Sequence, residues 1–145
     1  MEQHPISPGA TCPECGAPQV AGLTCWEQLG LLIAWEYQDP DLQAEHFLTV
    51  ASYNLQHPAQ FTAEVQADLR AVFIEWLDIG MTVNDVRRRF AQAYAGKMRV
   101  LKAPAERHPV LRSWSMTIAD VYTPDTPEDA ASRVRAWASS IRNEL

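Results

Sequence analysis

Residues 24–40 read TCWEQLGLLIAWEYQDP, and this stretch decides the fold. Thr24 is a helix N-cap with Glu27 three positions on, the pairing of a capping box. Leu29, Leu32 and Ile33, with Trp26, form an apolar stripe at helical spacing. Asp39-Pro40 stops the helix, because a residue before proline is pushed out of the helical region. A second helix is predicted from near Asp41 through LQAEHFLTVASYNLQ, ended by Pro58. The connection between the two is short, so they pack as an antiparallel hairpin.

Just upstream lies CPECG, residues 12–16, and the third cysteine, Cys25, opens the first helix. Two cysteines three residues apart can aim both sulfurs at one ion, and Gly16 permits the positive φ such a turn needs. Backbone N–H groups can then bond to the thiolates. Thiolate sulfur suits Zn²⁺ over hard cations, and the helix N-terminus favours the Cys25 thiolate. Tetrahedral zinc needs a fourth ligand, drawn from His4, His46, His57, His108 or solvent. Cys25 lies some way before the hairpin turn, so its antiparallel neighbours lie equally far beyond it, near residues 54–57. His46 sits about 16 Å from His57 at ~1.5 Å per residue, so the two cannot share an ion. Cys12, Cys15, Cys25 and His57 are therefore the predicted ligands. The competing readings are a redox pair at Cys12 and Cys15, which lacks the strand that usually precedes such a motif, or buried thiols that only pack.

Further along, a third helix is predicted over about 62–79, with Val65, Leu69, Val72, Phe73, Trp76 and Leu77 inward and Gly80 as its stop. Thr82, with Asp85 three residues later, opens a fourth through about Tyr94, with Gly96 as C-terminal stop. Residues 97–125 read as loop, with WSMTIADVY a short strand or extended segment. Thr126 as N-cap, Pro127 at the first position and Glu128 and Asp129 in the first turn announce the last helix. Its buried face is Ala130, Val134, Trp137, Ala138 and Ile141. The expected fold is all-α: about five helices around one core, with a zinc-knuckle-like N-terminal segment packed on the hairpin. It is expected to be a single domain over 1–145, with residues 1–25 forming the irregular knuckle segment and 26–145 the helical body.

The charge is uneven. The chain of 145 residues carries −6, yet residues 1–86 hold one basic residue, Arg70, and residues 87–112 hold eight. An acidic total disfavours non-specific nucleic-acid binding, while the basic block allows a local anionic partner. No apolar run reaches the roughly 18 residues of a membrane span, so no membrane partner is indicated. The N-terminus lacks a signal-peptide pattern and the cysteine count is odd, which together point to the cytoplasm.

His46, Val50, Tyr53 and His57 line one ridge of the second helix. As a pocket, Tyr53 would hydrogen-bond around the metal with His46 nearby; as core, the two side chains would satisfy each other or the backbone. Glu36 can approach His46 across the hairpin. The motifs CPECG, CW, EYQDP and HFLTVASYNLQHP, with the later MTIADV and RVRAWASSI, resemble the bacterial DUF5946 domain family, whose function is unknown. The resemblance supports the metal reading of the cysteines and His57 and marks His46, Tyr53 and Gln56 as residues of interest. Ala51-Ser52 departs from the family pattern, which has an acidic residue beside a small one.

Three functions compete. A closed Cys₃His zinc site implies a structural metal in a protein that works through protein contacts, and this is the favoured reading. A metalloenzyme would need water in the fourth position with His46, Glu36 or Tyr53 in reach. No HExxH motif is present, and the H-x-E…P-C-x-x-C order of zinc deaminases is not matched. DNA binding would use WLDIGMTVNDVRRRF as a helix-turn-helix, with Gly80 in the turn and Arg87, Arg88 and Arg89 on phosphates. The bulk of Trp76 argues against that crossing, and a solvated basic face pairing with acidic residues is the simpler account.

Overall fold

The computed structural model describes residues 9–93 and 100–145. His4, and the Tyr94 and Gly96 end expected for the fourth helix, lie outside the described residues. Seven α-helices are present among those described: α1 (Cys25–Trp35), α2 (Pro40–Ala44), α3 (His46–Leu55), α4 (Ala63–Asp78), α5 (Val83–Ala93), α6 (Ile118–Val121) and α7 (Ala130–Glu144). No strand is formed among the described residues, only isolated bridges between Val20 and Leu23 and between Phe61 and Leu101. No helix among the described residues is long and apolar enough to cross a membrane.

The start of α1 follows the local chemistry. Glu27 N donates to Thr24 Oγ1 at 3.3 Å and Thr24 N to Glu27 Oε1 at 3.0 Å, a complete capping box. Gln28 Nε2 donates to the Pro18 and Leu23 carbonyls, pinning the preceding loop to the helix. Trp26 departs from the expected stripe: it is 51% exposed, beside Tyr53, while Leu29 and Leu32 are buried.

The predicted second helix is two helices. Asp39 caps α2 through Leu42 N, and the chain breaks at Glu45 (φ −97, ψ 13) before α3 resumes at His46. The break puts His46 beside the C-terminal end of α1, where its Nδ1 lies 2.8 and 2.9 Å from the two carboxylate oxygens of Glu36.

α4 ends where Gly80 takes φ +94, as its sequence predicts, and Thr82 and Asp85 form a capping box for α5. WSMTIADVY is neither strand nor extended throughout. Thr117 and Asp120 make a capping box that starts the one-turn α6, burying Ile118 and Val121. Thr126 does not cap the last helix by its side chain: its Oγ1 pairs with Thr123 Oγ1 at 3.0 Å. A 3-10 turn, Pro127–Asp129, leads into α7 instead. Three consecutive helix-starting residues tighten the entry turn, and α7 proper begins at Ala130.

α7 is the central helix, packed against α2, α3 and α6. Trp137, Val134, Ala138 and Ile141 are fully buried beside Phe73, Leu32 and Leu42. The three cysteines belong to the same apolar cluster as Trp137, so the knuckle segment is packed on the helical body. Trp35 stacks on Tyr122 at 5.0 Å and Phe47 meets Trp76 at 4.6 Å, closing the flanks.

The two threonine caps separate cleanly by mutation. Thr24→Ala should cost about 1 kcal/mol, because it removes a made bond to the helix backbone. Thr126→Ala should cost clearly less, since no backbone donor loses its partner. Denaturation midpoints of the two variants check this; equal losses would contradict it.

Candidate metal centre

Three segments converge at one point. The CPECG turn closes through Gly16 N to the Cys12 carbonyl and Cys12 N to the Ala17 carbonyl, both at 3.0 Å, with Gly16 at φ +77. Backbone amides aim at the sulfurs: Glu14 N and Cys15 N approach Cys12 Sγ at 3.5 and 3.4 Å, and Ala17 N approaches Cys15 Sγ at 3.4 Å. A tight turn at 20–23, with Ala21 and Gly22 at positive φ, then returns the chain so that Cys25 opens α1. His57 arrives from the far end of α3, held just past the helix by Pro58.

The ligand atoms of Cys12, Cys15, Cys25 and His57 all lie within 4.8 Å of one another, and all four residues are buried. The four residues could hold a metal ion. His57 Nε2 is 3.6 Å from both Cys12 Sγ and Cys25 Sγ. Its Nδ1–H donates to the Tyr53 carbonyl at 2.6 Å, which leaves the Nε2 lone pair facing the sulfurs. Tyr53 also stacks on the imidazole at 4.0 Å, and its hydroxyl lies 3.4 Å from Cys25 Sγ. Helix α3 thus supplies Tyr53, which orients the ligand-type side chain just past its end.

The crowding of the sulfurs shifts their protonation tendencies in opposite directions. Hydrogen bonds from Cys15 and Cys25 drive the Cys12 thiol far below its ordinary range, while the same crowding by Cys12 and Cys25 drives Cys15 far above it. Burial, and then the charge of Cys25, push the Tyr53 phenol up. Burial works against an imidazolium at His57, but the Cys12 and Cys25 sulfurs outweigh it and raise its pKa to about 10.

The other predicted residues separate from this centre. His46 is half exposed and engages Glu36, the approach across the hairpin that the sequence predicts; it lies outside the ligand cluster and does not bond Tyr53. Gln56 is fully buried and structural: its Nε2 donates to the Met116 carbonyl at 2.8 Å and its Oε1 accepts from Trp137 Nε1 at 3.2 Å. His108 is exposed and outside the cluster. Ala51 and Ser52 are buried, and Ser52 Oγ has no partner among the described residues.

Glu14 carries no sequence signal of its own beyond its place inside the C-P-x-C turn. Buried between the first two cysteines, it accepts from Ala59 N at 2.8 Å, while its own carbonyl accepts from Arg112 N at 3.0 Å. Burial raises its pKa. It ties the knuckle to the turn after His57, and only the tight C-P-x-C spacing around it hinted at a constrained site.

Comparison with known proteins agrees with the sequence resemblance. The chain belongs to DUF5946, a family of unknown function, whose model matches residues 10–145. No curated protein and no solved structure matches it.

His57→Ala should lower bound metal strongly, whereas His46→Ala should leave it unchanged; equal retention in both would remove His57 from the centre. Gln56→Leu should leave metal content intact but destabilise the fold by about 2 kcal/mol, because a buried indole N–H and a carbonyl lose their partners. Elemental analysis and denaturant melts of the three variants read these outcomes.

Proposed function

We propose that this protein binds one zinc ion at Cys12, Cys15, Cys25 and His57 as a structural element, and works through contacts with other proteins. The observation that carries the metal assignment is a distance. With Zn–S of about 2.3 Å and Zn–N of about 2.0–2.1 Å at tetrahedral angles, a sulfur and a nitrogen ligand stand about 3.6 Å apart. His57 Nε2 stands 3.6 Å from two of the sulfurs. A soft thiolate-rich tetrahedral set also suits zinc over oxygen-seeking cations. Reduced thiols of this kind fit the cytoplasm.

The structural role follows from closure. Four protein donors leave no position for water or substrate, and the surrounding polar groups are spent on the sulfurs and the imidazole. His46 and Glu36, the nearest acid–base pair in sequence, bond each other at the opposite end of the hairpin.

The DNA reading has less support. Arg88 pairs with Asp85 at 2.8 Å and Arg89 with Glu75, so two of the three arginines proposed for phosphates already face carboxylates. Trp76 packs on Phe47 behind them.

Protein purified without added metal should carry one zinc per chain by elemental analysis. Stripping it with a chelator should lower the melting midpoint by about 10 °C or more, the shift expected when a tightly held ligand is withdrawn. Metal-free protein with three titratable thiols and an unchanged melt would overturn the assignment.

A further inference from the structure

We propose that the open groove along α4 is the docking site for an acidic amphipathic helix of a partner protein. This rests on the protein-contact reading above for the class of partner, and not on the identity of the metal. The groove has a volume of about 590 Å³ and lies between the outer flank of α4 and the segment that follows α3. On α4 its lining positions include Ala63, Ala67, Ala71 and Ile74, which recur on one face of the helix. They span about 16 Å at ~1.5 Å per residue, the length of three turns of an opposing helix. The alanines leave room for a close approach, and Leu55 and Phe61 supply half-buried apolar walls.

Charge complementarity names the occupant. The chain carries −6, yet both charged side chains that line the groove are arginines. Arg70 is exposed and has no partner among the described residues. Arg112 is held in place by the Glu144 carbonyl and by the Trp114 ring, 3.9 Å from its guanidinium carbon. Neither arginine is ion-paired with a carboxylate among the described residues; the Glu144 carboxylate accepts from Ser115 N instead. By contrast Arg88, Arg89, Arg135 and Arg142 are each paired with an acidic side chain. Two guanidiniums beside an apolar trough match a helix with apolar residues on one face and carboxylates at its margins. With no strand among the described residues, an added β-strand has no edge to join. The acidic total disfavours a nucleic acid.

The test is a phage-displayed library of random peptides about 12 residues long, roughly the groove's span in helical form. It is panned against the full chain, against Arg70→Glu/Arg112→Glu, and against Ala71→Trp, which fills the groove floor without touching charge. Enriched peptides are resynthesised and titrated, with amide chemical-shift mapping to locate them. The expected peptides combine apolar residues at helical spacing with Asp or Glu. They should move the amides of α4 and residues 54–61 and weaken about tenfold or more in either variant. Acidic peptides that bind both variants as tightly as wild type, or that map to another face, overturn the groove while leaving the protein-contact reading standing. Basic peptides at the groove overturn the charge argument. No enrichment on any face overturns both. A dimer formed through α4 in sedimentation replaces the proposed occupant and overturns it.

Discussion

Three sulfurs and one imidazole meeting at the end of a helical hairpin are the constraint on which the rest of this structure depends. The sulfurs come from a turn and from the first residue of α1, and the imidazole from just beyond the last turn of α3. Such a meeting is possible only if α1 and α3 run antiparallel and in one register, since a shift of a single helical turn would move His57 by about 5 Å. Crowded thiols repel one another as thiolates, so the Cys12 and Cys15 protonation tendencies split in opposite directions. A cation bound there would resolve that conflict, because it stabilises all three thiolates together.

Adjacent residues then divide the labour between metal centre and core. His57 turns toward the sulfurs, and Gln56 turns the other way to bridge Trp137 of α7 and the Met116 carbonyl. The end of α3 is thereby fixed from two sides. At the opposite end of the hairpin, Glu36 and His46 hold the junction where the chain breaks between α2 and α3. The hairpin is clasped at both ends by polar contacts and filled between them by Leu29, Leu32 and Leu48.

Local signals explain what was legible in the sequence. Thr24–Glu27, Thr82–Asp85 and Gly80 are short-range devices whose chemistry is complete within a few residues, and each acts as its sequence predicts. The gathering of Cys12, Cys15, Cys25 and His57 was legible because hairpin antiparallelism converts sequence distance from the turn into proximity. What escaped depends on packing. The break at Glu45 has no glycine or proline to announce it. Four residues from Ile118 to Val121 are too few for a periodic signal, and their helix is set by a capping box and by burial of Ile118 and Val121. Thr126 looked like a cap, yet the tight turn at Pro127 put another residue at the helix start. Gln56 was marked by family resemblance alone, and only the fold reveals that its partners are an indole and a carbonyl some distance along the chain.

The placement of the metal centre relative to the surface also bears on how the molecule can work. The segment 54–58 carries His57 inward, while Asn54, Leu55 and Pro58 face outward into the groove beside α4. One short stretch of backbone therefore forms both a side of the metal centre and a wall of the groove. A wall built on a flexible helix end would lose binding free energy to ordering each time a partner docked. Holding His57 against the Cys12 and Cys25 sulfurs and Gln56 against the core reduces that cost in advance. On the proposed reading, a metal bound at the four residues is structural. It would hold the end of α3 in one conformation, so that the proposed groove presents its two arginines beside a fixed apolar wall.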